Sequence, residues 1–275
     1  MGRMRREVLD FVWCPACQGT LAIDGHGDGE IEAGELRCTG CGHRWPVEGG
    51  IPDLVFPEEL GADDAASRRL WNRIARFYDW IGPATNVIRG VSLATERRDL
   101  VARLGLAQCS SVLEIATGTG ENLRVIAQQV SDQAPVFGVD LSRRMISQAA
   151  RKLTRTGRPE QQLLLGNAMY LPFPDGRFDA VLDGFGMKYY SDKRRAIREM
   201  LRVLNPGGRI VIAELGVPQG RSLTFRQRLL RAWIPHFDEP PPLDALPEDV
   251  RDLTVSWDAH ETSYVIEFRK PAAQA

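Results

Sequence analysis

Residues 112–120 read "VLEIATGTG". An apolar run that stops in Gly-x-Gly reads as a buried strand turning sharply into a helix. Gly118 and Gly120 let the backbone bend and approach a ligand closely, and "ENLRVIAQQV" (121–130) supplies the helix. The next apolar run, "PVFGVD" (135–140), ends on Asp140, twenty residues past Gly120. A carboxylate there suits the vicinal hydroxyls of a ribose, because it accepts two hydrogen bonds from a diol.

Strand and helix patterns keep alternating downstream. "RRMISQAARKLTRT" (143–156) and "SDKRRAIREMLRVL" (191–204) read as helices, and "QQLLLGNA" (161–168) and "FDAVLDGF" (178–185) as strands. After the turn "NPGG" (205–208), "RIVIAEL" (209–215) reads as a fifth strand. "LTVSWDAHE" (253–261) and "SYVIEFRKP" (263–271) form the expected closing antiparallel hairpin. Apolar strands between amphipathic helices imply an α/β fold with a doubly wound, mostly parallel, seven-stranded sheet. Ligands in such sheets bind beyond the strands' C-terminal ends, where strand order reverses.

Two nucleotide ligands compete for that place. A dinucleotide fingerprint needs G-x-G-x-x-G, and here Leu123 stands at the third glycine. Glu121 puts negative charge where a pyrophosphate would seek positive potential. An acidic rim suits the sulfonium and ammonium of S-adenosylmethionine better than a nicotinamide cofactor.

Upstream, the pattern C14-P-A-C17, twenty residues, C38-T-G-C41 fits a four-thiolate tetrahedral Zn2+ site. Disulfides or unrelated thiols are the alternatives, and the first is disfavoured in a reducing compartment. The intervening segment reads as a hairpin with a Gly/Asp-rich tip. His26 and His43 read as loop residues rather than substitute ligands. Four thiolates leave no open position, so the metal is structural. Cys109 reads as a small buried hydrophobe.

The expected organisation is a zinc ribbon at 1–57, a helical linker or cap at 58–104, and the α/β domain at 105–275 with an insert at about 218–247. In the linker, Leu70, Ile74, Phe77, Tyr78 and Ile81 recur at helical spacing; Pro83 is expected to interrupt, and a second helix to cover about 90–104. The insert joins a basic amphipathic helix, "RSLTFRQRLLRAWI" (221–234), to an acidic Pro-rich stretch. It reads as a lid over the acceptor or a solvated connector.

The net charge of −1 gives no global pull toward nucleic acid or anionic membrane. No run approaches the ~18 apolar residues of a membrane span, and the N-terminus lacks a signal-peptide core. A cytoplasmic protein without a membrane partner is expected; a homodimer is left open.

The motifs "VLEIATGTGEN", "VFGVDLSRRMI", "LLLGNAMYLPFPDGRFDAVLDGFGMKYYSD" and "REMLRVLNPGGRIVIAEL" resemble class I S-adenosylmethionine-dependent methyltransferases. "RIARFYDW" and "FPDGRFDAVLDGFGMKYYSDK" are most similar to the ubiquinone/menaquinone C-methyltransferases, and "CPACQGTL…LRCTGCGHRWPVEGGIPDL" resembles small zinc-ribbon partners of methyltransferases. The resemblance implies that Glu114 anchors the loop or the ligand's amino group, with Ala116, Gly118 and Gly120 along its methionine side. By the same resemblance Asp140 binds the ribose, Leu141 and Met145 flank the adenine, and Asn167 and Ala168 read its edge. Position 167 is usually Asp in the family. Asp183 and Gly184 would sit beside the transferring methyl, with Tyr78 capping the pocket.

Methyl transfer is an in-line displacement needing alignment and dryness, and a base only when the acceptor starts protonated. Asp183, Tyr189 and His236 are the catalytic candidates. The motif D183-G-F-G is not the Asn/Asp-Pro-Pro-Tyr of amino methylation, and no cysteine follows the fourth strand for cytosine C5 chemistry. Phe185, Met187, Tyr189 and Tyr190 make an apolar wall suited to a flat acceptor. The leading expectation is methyl transfer to carbon or oxygen of a small aromatic or polyketide-like acceptor. Methylation of ribosomal or transfer RNA docked by the ribbon, and a non-catalytic cofactor-binding or partner-activating role, are the alternatives.

Overall fold

The computed structural model describes residues 4–23, 31–131, 133–153 and 161–272. The hairpin tip with His26, and the helix end expected past Leu153, lie outside the described residues.

Strands β1 (Leu21–Ile23), β2 (Ala33–Cys38), β3 (Arg44–Glu48) and β4 (Ile51–Pro52) form a four-stranded antiparallel meander. Helices α1 (Ala62–Arg89) and α2 (Leu93–Ala102) follow. The rest is β5 (Val112–Ile115), α3 (Glu121–Ala127), β6 (Val136–Asp140), α4 (Arg143–Leu153), β7 (Gln161–Leu165), β8 (Phe178–Gly184), α5 (Lys193–Val203), β9 (Leu204–Leu215), α6 (Phe225–Trp233), β10 (Arg251–Trp257) and β11 (Ser263–Arg269). The large sheet runs β10-β11-β9-β8-β5-β6-β7. Pairs among β5 to β9 are parallel, while β11 is antiparallel to β9 and β10. This is the expected seven-stranded fold. Strand order reverses between β5 and β8, which places the crevice at their C-terminal ends.

Alternate residues along the strands feed two cores. One face, with Val112, Val136 and Leu182, is covered by α2, α3 and α4. The other, with Leu113, Phe137 and Val181, is covered by α5 and by residues from the first 57. The reason lies between β7 and β8. A parallel crossover usually carries a helix, but residues 166–177 contain none. The N-terminal segment fills the space. Phe11 packs on Phe137 with centroids 5.1 Å apart, the Trp13 N–H donates to the Pro172 carbonyl at 3.0 Å, and the Leu54 N–H to Leu165 at 2.9 Å.

Helix α1 departs from the sequence expectation. It runs 28 residues straight through Pro83. Proline there removes one hydrogen bond toward residue 79, but the following turns are pinned. Gly90 closes the helix at φ 75° with its N–H on Asn86, and the buried Arg89 guanidinium binds Glu96, Asp258 and Ser263. Phe77 and Ile81, expected on a packed stripe, point to solvent. The inward side instead carries Asp64, Ser67, Trp71 and Tyr78. A smaller correction concerns β9, which begins at Leu204 and absorbs the "NPGG" turn as a register shift against β8.

Candidate active site

A pocket of about 680 Å³, open to solvent on one side, lies beyond the C-terminal ends of β5, β6, β7 and β8. Its floor is the β5–α3 turn. Ala116 is held at φ 51° and Gly118 at φ 54°, and Gly120 opens α3 at φ 78°. A Cβ on Gly120 would meet the Ala149 Cβ at 3.0 Å, so the turn needs glycine there for shape as well as space.

Of the residues expected to bind cofactor, Tyr78, Ala116, Gly118, Asp140, Leu141, Met145, Asn167, Ala168 and Gly184 line the pocket. Glu114 and Gly120 do not; they lie behind its wall. The Glu114 carboxylate accepts from Thr117 Oγ1 at 2.5 Å and Asn122 Nδ2 at 3.0 Å, holding the turn. Asp140 accepts from the Gly118 N–H and the Ser142 N–H, both at 2.8 Å. Asn167 Oδ1 is taken by the Met169 N–H at 3.1 Å, which leaves Nδ2 buried without a partner. An orphaned donor in the pocket wall fits a ring nitrogen such as those of adenine, so residue 167 is left as donor rather than as acceptor.

The acidic rim expected at Glu121 is absent. Its carboxylate is ringed by Lys152 at 2.8 Å, Arg124 at 3.5 Å and Arg97 at 3.8 Å. Negative character beside the turn comes from Asp140.

Helix α1 roofs the pocket and is tied across it. Asp64 accepts from Ser191 Oγ at 2.9 Å, Asn72 Oδ1 from Ser142 Oγ at 2.8 Å, and Asp79 from Lys152 at 2.8 Å and Thr119 Oγ1 at 3.0 Å. The Trp71 ring packs edge-on against Tyr78 at 5.8 Å and Tyr189 at 4.8 Å. Trp71, Asp64 and Ser67 were not singled out from the sequence; their spacing to Tyr78 (64, 67, 71, 78) is the helical signal that marks them.

Among the catalytic candidates, Tyr189 lines the pocket and Asp183 lies just behind it. Asp183 is fully buried and accepts from the Gly186 N–H at 2.9 Å. Its Oδ2 and the Tyr190 hydroxyl lack partners within bonding distance, though both residues converge on Gly186. A Cβ at position 186 would fall 2.6 Å from that hydroxyl and 2.9 Å from Asp183 Oδ1. Tyr190, which does line the pocket, is the member sequence reading left in the apolar wall. His236 is not brought to the site. It is exposed, at φ 57°, pairs with Glu239 at 2.7 Å, and is not among the residues that line the pocket.

Burial raises the carboxyls here: Glu114 to about 7, Asp140 to about 6, Asp183 to about 7, and Glu214 above its usual range. The folded protein therefore holds protons that the unfolded chain has released. This contribution to stability is complete below about pH 4 and is lost as pH rises through 6 to 7. Carboxylates held low, Glu121, Asp179, Glu239 and Asp258, are ionised in both states across that window. Thermal scans of the ligand-free protein are expected to show Tm falling by roughly 5–10 °C between pH 5 and pH 8, with Glu114→Gln reducing the slope. A flat profile would contradict the assignment.

The four thiols of the N-terminal segment lie together. All sulfurs sit within 4.8 Å of one another, with Cys14–Cys41 at 3.8 Å and Cys17–Cys38 at 3.4 Å. A tetrahedron with ~2.3 Å zinc–sulfur bonds has edges of about 3.8 Å. The residues present fit the ion. His43 stacks on Trp45 at 4.0 Å and pairs with Glu58, away from the thiols. Cys109 is only half-buried.

Comparison with known proteins agrees with this architecture. Residues 61–235 match the ubiE/COQ5 methyltransferase family, and residues 5–50 match Trm112p-like protein. The chain is 33% identical over 159 residues to a demethylmenaquinone methyltransferase of Anoxybacillus flavithermus, covering 58% of this chain and 65% of that one. It is 35% identical over 170 residues to the protein of the same name from Thermotoga maritima, covering 61% and 70%. The match thus spans slightly under two thirds of the first relative's length. A solved phosphoethanolamine N-methyltransferase 2 of Haemonchus contortus shares the fold at a TM-score of 0.59 and 16% identity, over 91% of this chain and 71% of that one. The family match runs from α1 through α6 and takes in every strand and turn that shapes the pocket, so the chain belongs to the ubiE/COQ5 methyltransferase family.

Proposed function

We propose that the protein transfers the methyl group of S-adenosylmethionine to a carbon of a flat, hydroxylated aromatic acceptor. One observation carries this reading: one pocket is lined both by polar groups (Asp140, Asn167) and by aromatic rings (Trp71, Tyr189, Tyr190). The cofactor would supply an electrophilic methyl on a positively charged sulfur. Asp140 would hold the ribose, Leu141 and Met145 the adenine, and Asn167 Nδ2 a ring nitrogen. The acceptor would lie against Tyr189 and Tyr190.

The chain's own chemistry is then proton handling. Tyr190 would take a hydrogen bond from the acceptor hydroxyl and relay its proton to the Asp183 carboxylate. The resulting oxyanion would make the ring's ortho carbon electron-rich, and Tyr189 and Tyr190 would hold that carbon toward the electrophilic methyl that the cofactor would supply. After transfer, the ring hydrogen on that carbon would leave as a proton to solvent at the open side of the pocket, restoring the aromatic ring. Trp71 and Tyr78 would keep water from the reacting atoms, which preserves alignment. The curated relatives named demethylmenaquinone methyltransferase favour a reduced naphthoquinone as acceptor. The N-terminal segment would carry one structural zinc and serve as a fixed wall of the sheet.

RNA is the second reading, favoured by Arg226, Arg228 and Arg231 on α6. Transfer of radiolabelled methyl separates the two. A short-chain prenylated naphthoquinol is expected to be labelled and bulk RNA not. Labelled RNA with binding that weakens steeply with salt would replace this proposal by the second.

A further inference from the structure

Seven of the large hydrophobic side chains that remain exposed gather on two packed helices, α1 and α6. On α1, Phe77, Trp80, Ile81 and Val87 fall on the outward side, with Trp80 and Val87 each 79% exposed. On α6, Phe225, Leu229 and Trp233 follow at four-residue intervals, and both aromatics are more than three quarters exposed. The opposite side of α6 is buried through Gln227 and Leu230, so the stripe faces away from the protein. Arg226 Nη1 bonds the Ile88 carbonyl at 3.0 Å, which fixes the two helices to each other.

Arginine predominates around these side chains. Arg69, Arg73 and Arg76 occupy the outward side of α1 before Phe77, and Arg226, Arg228 and Arg231 flank the α6 stripe. Asp79, the acid nearest the stripe on α1, is neutralised by Lys152. Segment 221–234 holds four arginines and no carboxylate. Of the six, Arg231 pairs with Asp238 at the surface.

We infer that this double-helix face docks on an anionic lipid bilayer. Exposed tryptophans backed by aliphatics and bordered by arginine are the composition of helices lying in the headgroup–acyl boundary. Arginines at such depth meet anionic lipid favourably. No described helix is long and apolar enough to span a membrane. The overall charge of −1, read earlier as disfavouring a membrane, averages away this local asymmetry. Helix α1 also roofs the pocket with Trp71 and Tyr78 on its other side. Docking would therefore set the pocket roof at the lipid surface, where an acceptor with an apolar tail would be found. This last consequence rests on the function proposed above; the docking itself does not.

Vesicle sedimentation of the full chain tests the docking without turnover. With 7:3 phosphatidylcholine:phosphatidylglycerol vesicles the protein is expected to pellet with lipid, and its tryptophan emission to shift to the blue. Trp80→Ala/Trp233→Ala should weaken partitioning about tenfold or more. Arg73→Gln/Arg228→Gln should weaken binding to the anionic vesicles about tenfold and leave any residual binding to neutral ones unchanged. Both variants should keep the parent Tm and S-adenosylhomocysteine affinity, as their side chains are exposed. Three outcomes overturn the inference: no binding to anionic vesicles, binding unaffected by both variants, or a dimer in light scattering that the tryptophan variant dissociates. Competition of vesicle binding by RNA at equal phosphate would assign the face to nucleic acid instead.

Discussion

Asp183→Asn is expected to lower kcat for methyl transfer by about 10²–10⁴, the range for a missing general base, while S-adenosylhomocysteine binding stays within about threefold. Asparagine preserves volume, and its oxygen can still accept from the Gly186 N–H that holds the carboxyl at 2.9 Å. What it removes is basicity. Burial pushes Asp183 up to about 7, so the carboxylate form grows as pH rises through neutrality. The wild-type kcat/KM should therefore climb with pH and level off above about 7.5, and the residual activity of the variant should not follow that curve. Tyr190→Phe should lower kcat less and move the midpoint upward, because the tyrosine hydroxyl favours the ionised carboxyl and its removal leaves Asp183 in a more apolar surrounding without touching the base. A purely structural Asp183 would give a different result: a lower Tm, a parallel loss of cofactor affinity, and an unchanged pH profile.

The core of the fold was legible because its signals are local. The run ending in Gly118 and Gly120, the Asp140 carboxylate and the alternating strands and helices state the sheet, and nine of the eleven expected cofactor contacts line the pocket. What escaped was set by tertiary choice. Helical spacing shows that α1 has faces, but not which one turns inward. Trp71 and Phe77 are both aromatic, and only packing against Tyr189 selects Trp71. Pro83 looks like a stop because the local rule is strong; the ion pairs of Arg89 that carry the helix past it come from residues as distant as Asp258. Glu121 looked like a free acid because Lys152 and Arg97 reach it from other helices. His236 looked like a base in a lid because sequence cannot show that it pairs with Glu239 and stays out of the pocket lining. Tyr190 was visible as an aromatic, and its approach to Asp183 follows from the turn at Gly186, where the two groups converge.

Removing the zinc proposed for the four thiols should be felt far from them. Chelation under reducing conditions, or Cys38→Ser, is expected to lower Tm of the whole protein by about 10 °C or more in a single transition. In isolated finger peptides structural zinc contributes ~10–16 kcal/mol, and even about 4 kcal/mol here corresponds to roughly 8–16 °C for a protein of this size. The coupling is geometric. Cys14 and Cys38 are buried in the same cluster as Leu113, Phe137 and Val181 of the large sheet, and the crossover at 166–177 has no helix to cover that face. Without the ion, Trp13 and Phe11 lose the turn that aims them at Pro172 and Phe137, and one side of β6 and β7 meets water. Since Asp140 and Asn167 stand at the ends of those strands, S-adenosylhomocysteine affinity should fall with Tm. Cys109→Ser, at a thiol remote from the cluster, should leave both within about 2 °C and twofold. One zinc per chain by elemental analysis, released together with the loss of Tm, is the expected result. A metal-free protein that melted within about 2 °C of the untreated one would show that the ribbon's own packing covers the sheet without help from the ion.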